Sequence, residues 1–244
     1  FFAEHEQRGF FSGNDRMYLL VEGNVALTVG GRPLDVVKAG EIFGEMATIT
    51  SAKRTATATA KTACRVIALD SAQFQKAIKK APAFALMLMS IMIDRLRLTL
   101  ARLTMLKALP DRKASAERRV FDDKTLDAIA AELGSPQPLK FAAAQPIIKA
   151  GESGVLMYFV RKGRVTISAE GRTLEHVGVG GAFGEMALVD RATRAASAVA
   201  ETECTLLAVN RNQFLDLVET NPEFGLALLK ALAQRLQTVS GGAK

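Results

Sequence analysis

The chain has 244 residues, 49% apolar and 23% charged, with 7 Pro and no low-complexity tract, which is the profile of a soluble globular protein and excludes a largely disordered one. Its net charge of +7 would suggest nucleic acid or a membrane surface if the basic residues clustered, but they are spread through both halves except at Arg112, Lys113, Arg118 and Arg119, which read as a solvated linker. The longest apolar run, Ala83 to Ile93 broken only by Ser90, is too short to span a bilayer, and Cys64 and Cys204 stand alone, so a reducing, cytoplasmic setting with no metal clip is expected.

The opening Phe1-Phe2-Ala3 reads as the middle of an element, so an upstream piece is expected, and no secretory signal is visible. "MYLLVEGNVALTV" from Met17 carries β-branched and aromatic residues with Gly23 at the bend, and "RTATATA" from Arg54 alternates with period two, so both predict short antiparallel strands. From Ser71 the period becomes helical through Phe74, Ala77 and Ile78. The next helix carries Leu86, Met89, Ile93, Leu96, Leu100 and Leu103 at alternating spacings of three and four, a heptad seam. Either a second chain, in a homodimer, or the other domain of the same chain covers it. Asp122 and Asp123 cap a helix running through Leu126, Ile129 and Leu133 and stopped at Gly134. "LKFAAAQPIIKAGES" then supplies the first strands of a second unit, "MYFVRKGRVTISA" and "RAASAVA" continue it, and helix returns from Arg211 with Phe214, Leu217 and Val218.

The second half repeats the first. Shifting the numbering by 140, from Phe43 to Phe183, superimposes Phe43-Gly44-Glu45-Met46-Ala47 on Phe183-Gly184-Glu185-Met186-Ala187, and fifteen of the 32 positions from 43 to 74 are identical. The same shift pairs Met17-Tyr18 with Met157-Tyr158, Gly23 with Gly163, Arg54 with Arg194, Pro82 with Pro222 and Arg95-Leu96 with Arg235-Leu236. The chain is a tandem duplication, with domains expected at 1–108 and 122–244 joined by a linker at 109–121. In the first copy, Phe1 to Glu6 aligns with Ile147 to Glu152 only if an extra loop lies around Arg8 to Gly13, and the strand before it is missing.

Each copy places a Gly-Glu pair nine residues ahead of an Arg set among small residues. A short helical turn begun by Gly exposes backbone N–H groups to an anion, and Gly44 and Gly184 let that anion approach. Arg54 and Arg194 add a forked donor for phosphate, and Glu45 and Glu185 suit a neighbouring hydroxyl. Phosphate beside a sugar hydroxyl describes a nucleotide.

On these residues both copies resemble cyclic-nucleotide-binding domains, whose cassette reads roughly F-G-E-[LM]-A, a variable loop, then R-[AT]-A-[TS]. The second copy is similar to the regulatory subunits of cyclic-AMP-dependent kinases, and the sensor domains of catabolite activator proteins are a further resemblance. The resemblance implies two antiparallel β-roll, jelly-roll-like domains with flanking helices. It also implies that the backbone of Gly44, Glu45, Met46 and Ala47 and of Gly184, Glu185, Met186 and Ala187 contacts ribose and phosphate. Glu45 and Glu185 would hold the ribose 2′-OH, Arg54 and Arg194 the exocyclic phosphate, and Thr55 and Ala195 the other side of it. Thr55 resembles the residue after the Arg in cyclic-GMP-dependent kinases, and Ala195 that in cyclic-AMP-dependent ones. Lys53 and Thr193 stand where the family often has Pro.

Other signals carry less. "GVGGAFG" at Gly178 to Gly184 resembles a dinucleotide fingerprint, but its third Gly falls late and its setting is a hairpin. "RKAS" at Arg112 to Ser115 resembles a kinase target, and a plain linker is the simpler reading. His5 and His176 read as exposed loop residues, the latter close enough to a cassette to touch ligand, and Cys64 and Cys204 as buried thiols at matching points of a strand. No Ser-His-Asp, paired-carboxylate or metal-ligand set stands at usable spacing, so a non-enzymatic sensor is expected, with cyclic AMP or cyclic GMP as ligand and no resident cofactor. The partners expected are an unnamed effector and, through Leu86 to Leu103, a second copy; direct DNA binding is not expected.

Overall fold

The computed structural model describes residues 1, 3, 16–111 and 119–241. His5, the extra loop at Arg8 to Gly13 and the Arg112 to Ser115 stretch lie outside them. The chain divides into two compact units, Phe1–Ala81 and Pro82–Lys244.

The first unit runs β1 (Met17–Glu22), β2 (Asn24–Val29), β3 (Arg32–Lys38), β4 (Ile42–Phe43), α1 (Glu45–Thr50), β5 (Thr57–Ala60), β6 (Arg65–Leu69) and α2 (Ser71–Lys80). Its strands form two antiparallel sheets, in the orders β4-β1-β6 and β3-β2-β5. Leu20, Phe43, Val25, Leu27, Val37 and Ala58 from both sheets share one apolar core, as period-two alternation requires of strands with one buried face. The Phe1 amino group donates to the Ala58 carbonyl at 3.1 Å and its ring packs against Phe43. A capping box starts α2: Asp70 accepts from the Gln73 N–H and the Gln73 side chain accepts from that of Asp70.

The second unit opens with α3 (Pro82–Met105) and α4 (Asp123–Glu132), then β7 (Leu139–Phe141) and β8 (Pro146–Ile148). The repeat follows as β9 (Leu156–Lys162), β10 (Val165–Ala169), β11 (Arg172–Val177), β12 (Ala182–Phe183), α5 (Met186–Asp190), β13 (Ser197–Ala200), β14 (Cys204–Asn210), α6 (Arg211–Thr220) and α7 (Pro222–Gly241). The sheets are β12-β9-β14-β7 and β11-β10-β13-β8, so β7 and β8 each extend by one strand an order already seen in the first unit. Ile148 pairs with Ala198 and packs in the core with Tyr158 and Phe183. Phe1 reaches the corresponding Ala58, Tyr18 and Phe43 in the first unit but stays 45% exposed. The architecture is mainly antiparallel β with flanking helices, in two copies.

One pair of residues recurs at the first bend of each copy. Gly23 and Gly163 sit at φ 93° and 87°, and a Cβ there would lie 2.3 Å from the Ala63 oxygen and 2.2 Å from the Glu203 oxygen respectively. Each Cβ would also lie 2.8 Å from a cysteine sulfur, Cys64 or Cys204. The two thiols thus serve the bend. Cys204 is buried at the head of β14, whereas Cys64 is half-buried and precedes β6, outside the strand in which it was expected.

Packing groups α3 apart from the repeat that precedes it: the compact units divide at Ala81/Pro82, so α3 packs with the second unit although it follows the first repeat in sequence. Apolar residues decide this: Met89, Ile93, Leu96, Leu100 and Leu103 are buried, and α3 packs against α7, α5 and α6. The seam is therefore covered within the chain. Ala85 lies near Gly225, its repeat partner, and Leu96 and Leu100 share a wall with Thr238 and Val239, so α3 and α7 run parallel and in register. His176 is not an exposed loop residue. It is buried in β11, its Nδ1 2.9 Å from Glu201 Oε2. Strand alternation turned it inward, which a reading of local polarity misses.

Candidate functional site

Gly44 and Gly184 occupy the left-handed region, at φ 77° and 87°, and each turns the chain from a two-residue strand into a short helix. Glu45 and Glu185, directly after them, are 1% and 2% exposed. Carboxylates so buried need charged or hydrogen-bonding partners. Ala47 and Ala187 are buried beside them, and Met46 and Met186 are half-buried.

The two arginines fold back as the spacing implies. Arg54 donates from Nη1 to the Gly44 carbonyl at 2.8 Å and from Nη2 to the Arg16 carbonyl at 2.7 Å. Arg194 donates from Nη1 to the Gly184 carbonyl at 2.7 Å and from Nη2 to the Leu156 carbonyl at 2.6 Å. Residues 16 and 156 are themselves repeat partners, so one device is built twice. Thr55 is exposed and Ala195 half-buried.

In the second unit all six expected residues, Gly184, Glu185, Met186, Ala187, Arg194 and Ala195, line one cavity, whose empty space measures about 750 Å³ including its mouth. Arg194 is 9% exposed, and burial pulls its guanidinium below its usual value, opposed by Tyr158 and Glu185. Among the described residues no carboxylate lies within ion-pair distance of it. The backbone of Gly154 lies against this guanidinium, where a Cβ would fall 1.9 Å from Nε.

The sequence reading missed a second arginine. Arg235 of α7 donates from Nε to Glu175 Oε1 at 2.7 Å, from Nη1 to Glu185 Oε1 at 2.6 Å and from Nη2 to the Ala182 carbonyl at 2.5 Å. Burial works against its charge, yet Glu175 and Glu185 hold its pKa above the usual value. Glu185 Oε2, also buried, has no hydrogen-bond partner among the described residues. The signal was present: Arg235 is a cation inside an apolar helix and recurs as Arg95. His176, considered as a ligand contact, is not among the residues lining the cavity.

Chemically, the cavity offers a buried cation, an unmet carboxylate acceptor and otherwise mostly apolar walls. Such a set binds an anion joined to a hydroxyl-bearing ring and an apolar body. Among the described residues no group of His, Cys, Asp or Glu is arranged to hold a metal ion, and no helix is long and apolar enough to cross a membrane.

Comparison with known proteins agrees in kind. The chain is 35% identical over 107 residues to the cAMP-activated global transcriptional regulator CRP of Haemophilus influenzae, covering 41% of this chain and 48% of that protein. It is 36% identical over 102 residues to the cyclic AMP receptor protein of Thermus thermophilus, covering 40% and 47%. It thus spans about half the length of these curated relatives. A solved structure of the regulatory domain of Toxoplasma gondii PKA with cAMP aligns over 95% of this chain and 81% of its own at 21% identity, with a TM-score of 0.37, too low to add weight. The cyclic nucleotide-binding domain profile matches at residues 11–81 and again at 138–221. Since those two matches coincide with the two copies of the duplication, the chain belongs to the cyclic nucleotide-binding domain family, which it carries twice.

Proposed function

We propose that the chain is a cyclic-nucleotide sensor with no catalytic role of its own, binding one nucleotide at Gly44, Glu45, Met46, Ala47, Arg54 and Thr55 and another at Gly184, Glu185, Met186, Ala187, Arg194 and Ala195. The observation that carries this reading is the coincidence, in one cavity, of Arg194 and Glu185 Oε2, which among the described residues have respectively no carboxylate at ion-pair distance and no hydrogen-bond donor. A cyclic phosphate answers the first and a ribose 2′-OH the second. The backbone N–H groups from Gly184 to Ala187 add donors on the phosphate side. Arg235 is a positioning residue: by occupying Glu185 Oε1 it leaves Oε2 for the sugar.

Cyclic AMP is the ligand we assign to the second site. Both curated relatives are named for cyclic AMP, and Ala195 offers no hydroxyl to the 2-amino group of guanine. The output is conformational: α7 contributes Arg235, Thr238 and Val239 to the cavity, so an occupant alters the packing of this helix, and an effector reads the change. We place this activity in the cytoplasm, with the sequence domains at 1–108 and 122–244. A second reading, the sensor part of a longer transcription regulator, is favoured by the similarity to two proteins of that kind and keeps the same sites with a different output.

Calorimetric titration of the purified chain with cyclic AMP and with cyclic GMP tests the assignment. Two bound nucleotides per chain are expected, and Arg194→Ala is expected to weaken one class of site by about 2 to 5 kcal/mol, roughly thirtyfold or more in Kd. Failure to bind either nucleotide, or parent-like binding by both Arg54→Ala and Arg194→Ala, refutes it.

A further inference from the structure

The cavity of the second cassette has a wall that its own repeat does not supply. Leu96 and Leu100 of α3 line it together with the polar Glu185, Arg194 and Arg235. They are 3% and 9% exposed, while Leu98, between them, points away and is 71% exposed. With phosphate and ribose assigned to the polar residues, the apolar wall is left for the base, whose planar ring gains from burial against Leu96, Leu100, Leu174 and Val239.

The same helix is tied to the cassette by charge. Arg97 donates from Nε to Asp190 Oδ2 and from Nη2 to Asp190 Oδ1 at 3.2 Å, and the side chains are 23% and 10% exposed. A paired, bidentate contact this sheltered is held more firmly than a surface pair. Asp190 ends α5, and its Oδ1 also accepts from the Ala192 N–H at 3.0 Å. One carboxylate therefore fixes both α3 and the start of the loop that delivers Arg194.

This tie exists on one side only. At the repeat shift of 140, Asp190 corresponds to Thr50 and Arg97 to Gln237, so neither charge recurs at the related positions. The first cassette cannot make this ion pair from the equivalent residues.

We infer that α3 closes the second nucleotide site, Leu96 and Leu100 forming the wall against the base and the Arg97–Asp190 pair latching that wall to the cassette; this rests on the reading of that cavity as a cyclic-nucleotide site. A latch of this kind acts on escape rather than entry. Bound nucleotide leaves when α3 lifts, so loosening the latch raises the dissociation rate and leaves association nearly unchanged.

The test uses the whole chain carrying Arg54→Ala, so that radiolabelled cyclic AMP reports the second site, with dissociation started by excess unlabelled cyclic AMP. Because the rate is read only from bound molecules, a reduced folded fraction does not mimic the effect. Arg97→Ala and Leu100→Ala are each expected to speed dissociation about tenfold, with association within about twofold of the parent. Leu98→Ala is expected to change neither rate. Should Leu100→Ala fail to fold, Leu100→Val, one methylene shorter, gives a smaller acceleration in the same direction. Combining Arg97→Asp with Asp190→Arg restores slow release. Parent-like release from Arg97→Ala and the Leu100 variant overturns closure by α3 while leaving the site itself standing. Acceleration that the charge exchange does not reverse, or an equal acceleration by Leu98→Ala, overturns the latch. No bound cyclic AMP in the Arg54→Ala chain overturns instead the reading of the cavity.

Discussion

Replacing Arg235 by Ala removes the cation that Glu175 and Glu185 share. Its three donors lie 2.5 to 2.7 Å from their acceptors, and the side chain is 12% exposed against 17% and 3% for the two carboxylates. Two carboxylates would then face each other's charge in a setting that water scarcely reaches. Removing one partner from such a buried network costs about 3 to 5 kcal/mol, because what remains is uncompensated charge rather than a lost contact. With a urea m-value of about 2 kcal/mol/M, that lowers the unfolding midpoint by about 1.5 to 2.5 M. The chain has no Trp, so far-UV circular dichroism is the suitable probe. Adding Glu175→Gln to Arg235→Ala should recover part of the loss by removing one of the two unpaired charges, and cyclic-AMP affinity should remain low because Glu185 has lost its anchor. A midpoint shift under about 0.5 M, with affinity unchanged, would show that the network carries neither stability nor the site.

Nucleotide choice at the first site is expected to depend on Thr55: on an Arg194→Ala chain, which isolates that site, adding Thr55→Ala should cut the cyclic-GMP to cyclic-AMP affinity ratio about two- to twelvefold, one neutral hydrogen bond, and an unchanged ratio removes Thr55 from selection. Gly163→Ala should cost about 2 kcal/mol or more, since a Cβ at φ 87° falls 2.2 Å from the Glu203 oxygen, whereas Gly171→Ala, at φ 72° with open space around it, should cost clearly less; equal shifts in the urea midpoint would refute the steric argument. Burial pushes the Cys204 thiol up, so at pH 8 a thiol reagent should modify half-buried Cys64 in the native chain and Cys204 only after denaturation, and simultaneous labelling would contradict this. The folded chain holds that proton more tightly than the unfolded one, so this group contributes stability below the ordinary thiol range and loses it as the pH rises through it.

The duplication, the strand and helix succession of each copy, and the Gly-Glu-Arg constellation were all legible in the residues, because each rests on local spacing. Period-two alternation, a capping residue before a helical run, and a Gly that must take a positive φ act within a few residues of one another. That each copy is an antiparallel β unit followed from these, whereas the β-roll arrangement followed from the family resemblance. What local spacing cannot express is which surface an amphipathic helix will choose. The seam of α3 admitted either a second chain or the same one, and its grouping with the second unit was settled only by the apolar face of α7, 140 positions from its repeat partner. The same holds for His176, turned inward by its strand and met by Glu201, and for Arg235, whose two carboxylates come from β11 and from the turn before α5. The sequence by itself thus determined the polar half of each candidate site, where backbone turn and arginine are neighbours in the chain. Only tertiary structure decided the apolar half and the ion pairs that hold it, because burial of charge and of leucine depends on partners that packing alone brings together.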